Sequence, residues 1–95
     1  MASSRVEAIL SAYDYIEVTR GSLSDFRISQ SELSAIAQMG ANAAYGLQNQ
    51  GGPQLQGLAD KLNEITTGIA KGQLPQMQVQ LQSLESLLPA RPAHP

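Results

Sequence analysis

Hydroxyls and carboxylates are the groups best able to do chemistry in this 95-residue chain, which carries ten serines, eight Asp or Glu, one histidine and no cysteine. Nucleophilic catalysis by serine needs a base held beside the hydroxyl. The only histidine is His94, set between Ala93 and Pro95 at the chain end, where too few apolar residues surround it to fix its position. No triad can be assembled from these residues. Without cysteine there is no thiolate ligand and no disulfide framework, which suits a reducing compartment.

Paired carboxylates are the next option. Asp14 and Glu17 are three residues apart and Asp60 and Glu64 four apart, so each pair shares one face of a helix. Metal binding or acid–base catalysis would need further ligands at a supporting spacing, and none follows. Both pairs read as solvated helix surface. Glu17 stands apart, because on a helical wheel it falls within the stripe of Val6, Leu10 and Tyr13. It is either exposed in a last turn or a buried polar anchor, and a buried carboxylate must find a partner. The buried case implies a ligand-binding bundle with an apolar cavity near Tyr13 and Glu17. The glycines do not form a phosphate-cradling loop followed by Lys-Ser or Lys-Thr, nor a dinucleotide turn.

Phosphate contact could instead come from Arg5, Arg20 and Arg27. However, the chain has only six Lys or Arg and a net charge of −2, and they do not cluster. A binder that gains affinity by counterion release concentrates its cations. A helical subunit touching nucleic acid within a larger complex is therefore the second expectation, not the first. No apolar run approaches the length of about 18 residues that a membrane span requires, and the Met-Ala-Ser-Ser start has no apolar signal core. The expected location is the cytoplasm.

These side chains are positioned by what reads as a single domain over residues 1–89, built from four helical stretches. In the first, residues 3–20, Val6, Ile9, Leu10, Tyr13 and Ile16 form one face, and Gly21 is the expected stop. The following Ser22 to Arg27 reads as a structured connection, with Ser22 and Asp25 at capping-box spacing. Ser29 and Glu32 form a second such box flanked by Ile28 and Leu33 as a hydrophobic staple, so the second helix should begin at Gln30 and run to residue 48. Its stripe includes Gly40 and Ala44, whose small size lets a neighbour approach closely. Pro53 opens the third helix, 53–71, whose seam is Leu55, Leu58, Ala59, Leu62, Ile65, Thr66 and Ile69, and Gly72 ends it.

The fourth stretch, 75–88, has Met77, Leu81, Leu84 and Leu88 on one stripe. Its segment 76–82 also alternates as a strand would, but the stripe continues past it and no other segment offers a strand partner. Residues 90–95 read as a disordered, proline-rich tail. Short connections between helices predict an antiparallel four-helix bundle, all-α, which self-association could complete.

Charged residues supply 15% of the chain, against about 25% in an average soluble domain. Five apolar residues fall outside the helical seams: Tyr15 and Val18 on the first helix, Tyr45 on the second, Val79 and Leu87 on the fourth. Interface cores are depleted in charge and enriched in aromatics. The expected function is thus a non-enzymatic protein–protein interaction module, acting as a homo-oligomer or as a small accessory or adaptor subunit. These five residues are its candidate interface. Its partners would be its own copies or another protein, with no cofactor, metal, membrane or small-molecule substrate.

Overall fold

Local signals in the sequence set most helix boundaries. In the computed structural model, which describes residues 4–24, 27–50 and 52–91, the helices are α1 (Ser4–Leu23), α2 (Gln30–Gln50), α3 (Pro53–Ala70) and α4 (Leu74–Leu87). At the start of α2 the Ser29 hydroxyl accepts from the Glu32 amide at 3.1 Å, and the Ser29 amide donates to the Glu32 carboxylate at 3.4 Å. This is the reciprocal box that satisfies two otherwise free helix donors. Pro53 occupies the first turn of α3, after Gly52 at φ 79°. That helix ends in a Schellman motif: the Gln73 amide reaches Gly68 O and the Gly72 amide reaches Ile69 O, each at 3.0 Å, with Gly72 left-handed at φ 81°.

Gly21 does not end α1. It stays helical, and the helix runs on to Leu23, whose fully buried side chain draws the last turn into the core. Ser22 consequently lies inside α1. Asp25 and Phe26, the rest of the expected connecting turn, lie outside the described residues, as do Met1 to Ser3. Segment 76–82 is helical, within α4.

The helices form an all-α antiparallel bundle. Each packs on its sequence neighbours, and α1 also packs on α4, so α1 with α3 and α2 with α4 stand across the two diagonals. The core is a continuous cluster drawn from all four, including Ile16, Ile36, Leu47, Leu62, Ile65, Leu81 and Leu84. Packed on α2 and α4, α1 buries a wider arc than its Val6–Tyr13 seam. Ala8 and Ala12 are buried beside Ile9 and Ile16, off the Val6–Tyr13 stripe. The α1–α2 approach is close: a side-chain carbon added at Gly46 would stand 3.3 Å from the Ala8 Cβ.

Past α4 the chain does not leave the body at once. Leu88 is buried, the Tyr13 hydroxyl donates to Pro89 O at 2.8 Å, and Arg91 ion-pairs with Glu17 and reaches Asp14 at 3.9 Å. The Arg91 guanidinium also lies 5.5 Å from the centre of the Tyr13 ring, within cation–π range. Arg91, in the segment expected to be a free tail, thus reaches back to α1. The reason is polar: a phenol, two carboxylates and a carbonyl do what apolar content could not. Pro92 to Pro95, including His94, lie outside the described residues.

Candidate functional site

The five off-seam residues and Glu17 have three fates. Tyr15 is fully buried. It faces the bundle centre, where its hydroxyl meets Thr66 Oγ1 at 2.7 Å, while Thr66 donates to Leu62 O at 3.1 Å. Tyr15 is thus removed from the candidate interface. Space for its ring comes from Gly40 of α2, where an added Cβ would stand 2.7 Å from Thr66 Oγ1 and 3.0 Å from Tyr15 Cε1. Burial raises the Tyr15 pKa above its ordinary value, offset in part by Thr66 and, more weakly, by the neighbouring Thr19. Thr19 Oγ1 is itself buried and reaches no hydrogen-bond partner of good geometry.

Glu17 is not a buried anchor. Its side chain is half exposed and paired with Arg91, an arrangement that raises the Arg91 pKa chiefly through the hydrogen bond to that carboxylate. The stripe that seemed to include Glu17 turns out of the core at this position, toward the chain that follows α4. The chain after α4 lies where an apolar cavity near Tyr13 and Glu17 was expected: Tyr13 donates to Pro89 O and the Arg91 guanidinium stands over its ring.

Val18, Tyr45, Val79 and Leu87 are all exposed, at 42%, 64%, 64% and 57%. They do not form one patch. Tyr45 lies on α2 opposite its buried stripe of Ile36, Gly40, Ala43 and Leu47, and Val79 lies on α4 opposite Leu81 and Leu84. Since α2 and α4 are diagonal, these two side chains mark opposite sides of the bundle. Val18 sits on α1 and Leu87 near the end of α4.

The sequence reading overlooked a groove between α2 and α3. It is mostly apolar, has a volume of about 210 Å³, and is lined by Leu33, Ser34, Ile36 and Ala37 on one side and Thr66, Ile69 and Ala70 on the other. Ala37 and Ala70 are exposed on its rim. The signal that could have revealed it is the run of small residues on the α2 flank of the seam, beside the small end of α3.

Of the arginines expected to contact phosphate, Arg5 and Arg20 are far apart. Arg20 is bonded to Glu85 at 2.7 Å. Arg5 and Arg20 lie at opposite ends of α1, about 22 Å apart at 1.5 Å rise per residue. Among the described residues, no three His, Cys, Asp or Glu side chains come together as a metal site, and no helix is long and apolar enough to cross a membrane. No known protein family matches this sequence, and neither a curated protein nor a solved structure shows significant similarity to it.

Proposed function

We propose that this chain is a protein–protein interaction module, a small accessory or adaptor subunit that meets its own copies or another protein through two sides of a rigid helical body. The observation that carries this reading is the outward placement of Tyr45 on α2 and of Val79 and Leu87 on α4, each more than half exposed on a well-packed helix. Large apolar groups on a surface poor in charge are the composition from which interface cores are made. Their position on diagonal helices suits a subunit that bridges two neighbours. The absence of cysteine fits a reducing compartment, and the cytoplasm is the proposed location.

The test combines light scattering over a concentration series with affinity capture from the native source and mass spectrometry. Self-association, or a stoichiometric partner lost on Val79→Glu or Tyr45→Glu, is the expected result. A strict monomer with no partner whose capture depends on these residues would end the proposal.

A further inference from the structure

From Leu33 to Gln50, α2 carries no charged residue, a stretch about 26 Å long at 1.5 Å per residue. Its outward stripe contains Ala37, Ala41 and Tyr45 at successive four-residue steps, with Ser34 and Gln48 beyond them. A large exposed ring thus stands about 12 Å along the same helix face from the α2–α3 groove, which opens beside Ala37.

A two-fold interface requires one surface to supply both the projection and the recess. An axis through Ala41 pairs every residue with the one equally far on the other side. Tyr45 then meets the partner's Ala37, and Gln48 meets the partner's Ser34. On a helical wheel Tyr45 falls on the side of Ala41 away from Ala37 and the groove, and the same rotation brings the partner's α3 and its groove to that side. We infer that the outer face of α2 binds a second copy of this chain, antiparallel and centred on Ala41, with Tyr45 of each protomer seated in the groove of the other.

Ring and recess on one face, in symmetric register about Ala41, select this occupant, and the absence of charge leaves no repulsion between the copies. A charged stripe would repel its own copy at this register or call for a partner of opposite sign, whereas an uncharged one meets itself without penalty. The small side chains at Ala37 and Ala41 allow the two helices to approach closely. Each seated ring, 64% exposed in the monomer, removes at most about 100–160 Å² from water. The contact is one helix wide and falls at the small end of specific interfaces, below about 1,200 Å² in total, so the dimer is concentration-dependent.

This inference rests on the interaction-module reading and adds the partner and the register. Because the chain has no cysteine, Ala41→Cys and Val79→Cys each introduce a single thiol, the first on the proposed axis and the second on the opposite side of the bundle. Under mild oxidation Ala41→Cys is expected to form a disulfide dimer much faster than Val79→Cys. Tyr45→Ser, at an exposed site that leaves the fold intact by circular dichroism, should weaken dimerisation at least about tenfold, the loss of a buried aromatic anchor. Equal cross-linking of the two thiols, or dimerisation indifferent to Tyr45→Ser, overturns the inference while leaving the interaction module standing on another face. A monomer persisting at about 1 mM also overturns it, and the module reading is then decided separately by capture of a partner.

Discussion

The Tyr15 hydroxyl on α1 meets the Thr66 hydroxyl on α3 at 2.7 Å, joining two helices that stand across the bundle diagonal. Gly40 of α2 leaves the space in which they meet. Three helices are therefore fixed at one level by one hydrogen bond and one missing side chain.

Removing the phenol oxygen should be costly, because Thr66 is partly sequestered from water. Tyr15→Phe is expected to lower stability by about 1–2 kcal/mol, with Thr66→Val similar. The double variant should cost less than the sum, since both changes delete the same bond. Urea denaturation of the four proteins tests this, and strict additivity would refute the coupling.

Glycine substitutions should change sign with location. Gly40→Ala drives a methyl against Thr66 and Tyr15 and should cost about 1–3 kcal/mol despite the better helix propensity of alanine. Gly57→Ala meets nothing within 4 Å on α3 and should stabilise by about 0.5–1 kcal/mol. Thermal melts of the two variants should move in opposite directions.

Thr19 offers a stabilising change. Its hydroxyl is buried without a partner, so Thr19→Val keeps the shape and removes the desolvated group. A gain of about 1 kcal/mol is expected in denaturant titration. A loss would mean that the hydroxyl makes a bond its geometry does not support.

The pH dependence follows from the raised Tyr15 pKa. The folded chain holds that phenolic proton more tightly than the unfolded chain, so the stabilisation is fully present below the unfolded value of about 10. It is lost as pH rises from there through the higher folded value. Denaturation curves collected upward from pH 9 should show this decline, and Tyr15→Phe should lessen it.

The chain after α4 is held by two kinds of contact that respond differently to salt. Arg91→Ala should raise hydrogen exchange at the Leu88 amide in dilute buffer, and the difference from the parent should shrink at 1 M salt, where the screening length is about 3 Å. Tyr13→Phe removes the bond to Pro89 O and should raise exchange at any ionic strength.

Helix boundaries were legible where the signal is local. The Ser29–Glu32 box, Pro53 and Gly72 each act on residues within a turn of themselves, and α2, α3 and α4 begin or end within two residues of expectation. What could not be read was set by distant partners. Tyr15 looked outward because its wheel position lies off the Val6–Tyr13 stripe, and only Thr66, 51 residues away, together with Gly40, makes that side interior. Glu17 and Arg91 are 74 residues apart, and no periodicity reports such a pair. Val18, Tyr45, Val79 and Leu87 lie outside the seams and are exposed, whereas Tyr15 is interior because the arc that α1 buries is wider than the Val6–Tyr13 stripe. The groove was missed because a recess belongs to two helices at once.

The cyclic order of neighbours also bears on how the chain reaches this state. Three of the four helix pairings join segments adjacent in sequence, and only α1 with α4 unites the two ends. Local pairings form without closing a long loop, which places folding in the microsecond to millisecond range. The α1–α4 seam carries the largest closure entropy, and it is the seam across which Tyr13, Arg20 and Arg91 reach. Weakening those polar contacts should therefore speed unfolding more than it slows folding.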